Sequence, residues 1–84
     1  GIANKVAPAQ ELDAAVAEFA DKIAGYSPAI LKLGRQAFYQ TQDMGFEQAL
    51  YTLQSQLTIN TMAEDAAEGI GAFFGGREPE WKGR

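Results

Sequence analysis

Apolar positions recur at intervals of three and four residues through most of this chain, the period of a helix rather than of a strand. Leu12, Val16, Phe19, Ala20 and Ile23 form the first stripe and predict a helix over Glu11–Ala24. Ile30, Leu33, Gly34, Ala37 and Phe38 form the second, from Ala29 to about Gln42, with Leu31 and Tyr39 off the stripe. The third runs from Phe46 to about Asn60 on Phe46, Ala49, Leu50, Leu53 and Leu57. The fourth spans Met62–Phe74, with Ala66, Ala67, Ile70 and Phe73 apolar. The pattern predicts an all-α chain of four helices with short connections and no strand between residues 10 and 74. Residues 1–8 read as an extended lead-in, 9–76 as the helical domain and 77–84 as an extended tail.

The connections carry their own signals. In Gly25-Tyr26-Ser27-Pro28, glycine suits the left-handed position that ends a helix. Ser27 suits the N-cap of the next helix, and Pro28 its first position. This stretch is expected to be the tightest corner. Pro8 is expected in the first turn of the first helix, and Asp43-Met44-Gly45 breaks the second from the third. Thr61-x-x-Glu64 has capping-box spacing before the fourth helix. Gly34 in mid-helix costs roughly 1 kcal/mol against alanine, and close approach of a neighbouring helix would justify it. Gly75-Gly76 closes the fourth helix.

Composition narrows the function classes. The chain has 84 residues, too few to bury a large core. It contains no cysteine and no histidine, which removes disulfides, thiolate metal sites and the commonest general base. A net charge of −4 argues against a nucleic-acid surface. No apolar run reaches the ~18 residues of a membrane span, and no signal peptide is visible, so a cytoplasmic protein is expected. The chain opens on Gly1-Ile2, and Ile2, Ala3 and Val6 alternate with polar neighbours like a strand without its partner. A piece of a longer protein is expected.

No residues stand out as catalytic, and none as metal ligands. Glu64, Asp65 and Glu68 sit near the start of the fourth helix, where its dipole favours them without any chemistry. Lys32 and Arg35 read as part of a solvated face. An acidic helical chain of this size also suggests an acyl carrier protein, but Ser27 lies between Tyr26 and Pro28 and lacks the Asp-Ser-Leu motif.

Glu68-Gly69-Ile70-Gly71-Ala72-Phe73, followed by Arg77 and Pro79-Glu80-Trp81-Lys82-Gly83-Arg84, resembles the C-terminus of the enoyl-CoA hydratase/isomerase (crotonase) family. The pattern there is Glu-Gly-x-x-Ala-Phe-x-Glu-Lys-Arg, a short gap, an aromatic and a lysine. Upstream, Asn4-Lys5-Val6-x-Pro8 with Glu11-Leu12, then Ser27-Pro28, then Asp43-Met44 with Ala49-Leu50, resemble successive landmarks of the same region. The resemblance implies the C-terminal, trimerisation-type helical part of a crotonase-like enzyme. Its missing N-terminal spiral domain would supply the oxyanion hole, the acid/base carboxylates and most of the CoA cleft.

By the same resemblance, Phe73, Arg77 and Lys82 are the candidate CoA-contacting residues. Gly75 and Gly76 stand where the family has glutamate and lysine. The whole protein is then expected to hydrate a 2-enoyl-CoA, isomerases and hydrolases of the family sharing this terminus. It would act as a homo-oligomer, a trimer or dimer of trimers, with an acyl-CoA thioester as substrate and no cofactor held by this segment. The segment alone is expected to be inactive. A stand-alone helical interaction module is the alternative.

Overall fold

The structure, a computed structural model, describes residues 1–84. It is all-helical. A single 3-10 turn, Ala9–Glu11, leads into α1 (Leu12–Ala24), followed by α2 (Pro28–Thr41), α3 (Phe46–Thr61) and α4 (Glu64–Gly75). No strand forms, and residues 77–84 carry no regular secondary structure.

Two corners differ from their sequence reading. Gly25 does not adopt a left-handed conformation; its φ is −74° and its N–H donates to the Asp21 carbonyl at 3.0 Å. The helix end needs no positive φ because a further 3-10 bond, from the Tyr26 N–H to the Ile23 carbonyl, carries the chain out. Ser27 and Pro28 behave as expected: the Ser27 hydroxyl accepts from the Ile30 N–H at 3.1 Å, and Pro28 is the first residue of α2.

The capping box at Thr61 does not form. Thr61 belongs to α3 and its hydroxyl donates to the Thr58 carbonyl at 2.8 Å. Ala63 is the N-cap of α4 and offers no side-chain bond. Only Met62 and Ala63 separate α3 from α4, so this corner, not the one at Gly25, is the tightest. Pro8 likewise sits before the 3-10 turn, where its carbonyl accepts from the Glu11 N–H, rather than inside α1.

Helices α2 and α3 pack side by side, and α4 leans on both. The main contacts of α1 are with the 3-10 turn before it. The outcome is an open layer with almost no interior. Only Ala37, Ala72, Ser27 and Asp65 are buried. Leu12, Val16, Phe19 and Ile23, the whole large-residue stripe of α1, stay exposed, as do Leu31, Tyr39, Tyr51 and Ile59. The radius of gyration is 16.3 Å, where a compact chain of this length would have about 12 Å. Gly34 is not crowded by a neighbouring helix; nothing lies within 4 Å of where its Cβ would be.

Candidate functional site

The tail 77–84 folds back antiparallel along α4 and is tied down at both ends by carboxylates of that helix. Asp65, only 1% exposed, is the inner tie. Its Oδ2 accepts from the Ser27 hydroxyl at 2.5 Å and from the Gly83 N–H at 3.0 Å; its Oδ1 accepts from the Lys82 N–H at 2.7 Å. The Asp65 N–H donates in return to the Arg84 carbonyl at 2.8 Å. That bond satisfies one of the free donors at the start of α4, which is why the helix begins without a side-chain cap. The Ser27 hydroxyl leads the causes that hold the Asp65 carboxyl below its ordinary value, with the tail N–H groups adding to it.

Glu68, one turn further on, is the outer tie. Both its oxygens accept from the Arg77 guanidinium, and Oε1 also accepts from the Glu80 N–H at 2.8 Å. This bidentate pair, with the Glu80 bond second, lowers the Glu68 carboxyl from 4.5 to about 2 and raises Arg77. Between the ties, the Trp81 indole N–H donates to the Gly25 carbonyl at 2.8 Å. Its ring lies against Gly69, where a Cβ would meet the ring at 3.2 Å. Glu64 takes Arg84 at 3.1 Å and Lys82 at 3.8 Å on the surface. Glu64 and Glu68 are therefore not a carboxylate pair; each has its own cation.

The three candidate CoA-contacting residues are not gathered at one point. Phe73 lies near the C-terminal end of α4, 80% exposed, with its ring edge-on to Phe74 at 5.6 Å. Arg77 follows just beyond the helix and is engaged by Glu68. Lys82 lies beside the first turn of α4, eight positions from Phe73 in helix register, or about 12 Å along the axis. The Arg77 backbone leaves α4 beside Phe73, but its guanidinium reaches back to Glu68, so the two cations lie along the N-terminal half of α4 and Phe73 near the other end. Gly76 has φ +61°, a left-handed backbone that glycine adopts freely, and this gives a physical reason for glycine where the resembled pattern has lysine.

A cleft of about 660 Å³ opens between α2, α3 and α4, lined by Ile30, Leu31, Leu57, Ile70 and Trp81, with Gly34 on its floor. Asn60 also lines it, and its Oδ1 is buried without a hydrogen-bond partner.

Sequence reading found Ser27 as a cap and Asp65 as a dipole-compatible acid, but missed that they meet. The two are far apart in the chain, and neither carries a local signal for the other.

No protein-family model matches the chain. The mouse enoyl-CoA hydratase domain-containing protein 3, mitochondrial, is 35% identical over 82 residues, which cover 96% of this chain and 27% of that protein. The carnitinyl-CoA dehydratase of Proteus mirabilis is 35% identical over 88 residues, covering 100% of this chain and 34% of that one. Among solved structures, the enoyl-CoA hydratase of Mycobacterium smegmatis superposes with a TM-score of 0.93 at 30% identity, over 96% of this chain and 32% of that chain. The chain spans about a third of the length of the relatives it matches. The open arrangement of the helices therefore recurs inside a solved hydratase.

Proposed function

We propose that this chain, whose relatives over its whole length are enoyl-CoA hydratase family proteins, is the C-terminal helical part of a crotonase-type enzyme that adds water to a 2-enoyl-CoA. The observation that carries the reading is the match of nearly the whole chain to a third of a solved hydratase, helix for helix. The names of the relatives, an enoyl-CoA hydratase domain protein and a carnitinyl-CoA dehydratase, both concern acyl-CoA thioesters, and water addition or removal.

In such a reaction the water oxygen bonds to C3 of the enoyl group and a proton reaches C2. Backbone N–H groups at the thioester oxygen stabilise the enolate charge between those steps, and a carboxylate handles the proton. Those groups lie in a spiral domain outside residues 1–84, to which the lead-in 1–8 would connect. The role we assign to this segment is to cover the spiral domain and its neighbours in a homo-oligomer and to cap the CoA site. Phe73 offers an exposed aromatic face there, and Arg77 and Lys82 offer cations at Glu68 and Glu64, along the N-terminal half of α4. Lys82 is the more available of the two, since Arg77 is held bidentately by Glu68. The location we propose is cytoplasmic; the mouse relative is named mitochondrial, and fractionation of cells expressing the whole protein distinguishes the two.

The coding sequence upstream of Gly1 tests this reading. A spiral domain in frame, in a whole protein that hydrates crotonyl-CoA while residues 1–84 alone do not, is the expected result. A start codon at this point, or turnover by the 84-residue chain, would overturn it.

A further inference from the structure

We infer that Asp65 and Ser27 form a latch that fixes the tail 77–84 on α4 and couples its docking to the corner between α1 and α2. This does not rest on the CoA reading. Asp65 is the one buried acid of the chain, and no cation touches it. Its three partners are neutral donors: the Ser27 hydroxyl and the N–H groups of Lys82 and Gly83. The ammonium of Lys82 goes to Glu64 instead. A buried carboxylate held this way has no spare partner, and losing one donor exposes it to the cost of an unsatisfied charge.

Ser27 adds the coupling. Its hydroxyl oxygen accepts the Ile30 N–H that starts α2 while its proton goes to Asp65. One side chain thus belongs to the N-terminus of α2 and, through Asp65, to the tail. Trp81 repeats the connection beside it, tying the tail to the Gly25 carbonyl of the same corner. The other fastening, Glu68 with Arg77 and Glu80, lies on the surface and touches neither α1 nor α2. The latch is therefore the tie that holds the tail half carrying Trp81 and Lys82 to the α1–α2 corner, while Glu68 holds the stretch before it at Arg77 and Glu80.

Trp81 is the only tryptophan of the chain, so its emission reports the tail directly. Two variants separate latch from fold. Asp65→Asn keeps the volume but removes the charge and half the accepting capacity. Ser27→Gly keeps a competent N-cap for α2 while deleting the hydroxyl donor. Acrylamide quenching of Trp81 and tryptic cleavage after Lys82 are read beside the far-UV circular dichroism. In both variants we expect cleavage after Lys82 to accelerate roughly tenfold or more, as for loss of a hydrogen bond to a charged group. Trp81 should become more quenchable, and Ser27→Thr, which restores the hydroxyl, should return both readouts to the parent values. If Asp65→Asn also loses helix signal, Ser27→Gly decides. Cleavage and quenching at parent levels in Ser27→Gly, with full helix signal, would overturn the latch.

Discussion

Two carboxylates one turn apart on α4 do different work because their surroundings differ. Asp65 is enclosed and meets only neutral donors, whereas Glu68 faces the Arg77 guanidinium at the surface. Both are held below their ordinary values, so both favour the docked tail in their charged forms. A depressed folded-state value contributes stability that is complete above the unfolded value and is lost as pH falls through the folded one. For Glu68 that window runs from 4.5 down to about 2, and the Asp65 carboxyl, held below its ordinary value by the Ser27 hydroxyl first, loses its contribution in acid as well. The cations acting on Glu68 are Arg77, which bonds it, and Lys82. Trp81 emission is therefore expected to be flat from neutral pH to about 4.5 and to shift toward an exposed tryptophan between there and about 2. A pH titration of the fluorescence checks this; a shift centred near neutrality would contradict it.

At the scale of helices, the glycines separate positions that need a missing side chain from positions that do not. At Gly69 a Cβ would press on the Trp81 ring at 3.2 Å, while Gly34 and Gly71 have open space where a Cβ would go. Replacing a mid-helix glycine by alanine gains up to about 1 kcal/mol when nothing is displaced. Gly34→Ala and Gly71→Ala are thus each expected to raise the thermal midpoint of the chain. Gly69→Ala should gain less or nothing, and should alter Trp81 emission, because the ring must give way. Thermal melts followed by circular dichroism and by fluorescence compare the three.

The same elements show what was legible in the sequence. The stripes marked out four helices nearly to the residue, because a three-four period has one common solution. Ser27 and Pro28 marked the start of α2, because capping acts through atoms three residues apart. Thr61 failed as a cap because α3 runs on through it and Ala63 takes the N-cap, while the Asp65 N–H finds the Arg84 carbonyl of the tail, a partner far away in the chain. The Ser27–Asp65 bond was hidden for the same reason. Phe73 and Arg77 are near neighbours in sequence and in space, while the placement of Lys82 at the opposite end of α4 follows only from the fold-back of the tail.

For the molecule as a whole, well-formed helices enclose almost nothing. The stripes that predict α1 and α3 are the same surfaces left exposed, Leu12, Val16, Phe19 and Ile23 on one and Phe46, Leu50, Leu53 and Leu57 on the other. Contiguous apolar surface of this kind marks an interface. The cleft between α2, α3 and α4, with the Asn60 Oδ1 awaiting a donor, is part of it. In the proposed enzyme these faces meet a spiral domain and neighbouring subunits. Without them, the chain should cover its apolar faces with copies of itself, since association stabilises the folded form by mass action. Sedimentation velocity of the 84-residue chain across the micromolar range tests this most directly. The expected result is a mean mass above the monomer that rises with concentration and falls in Leu31→Glu. A single monomeric species at every concentration, with a mass that Leu31→Glu leaves unchanged, would contradict it.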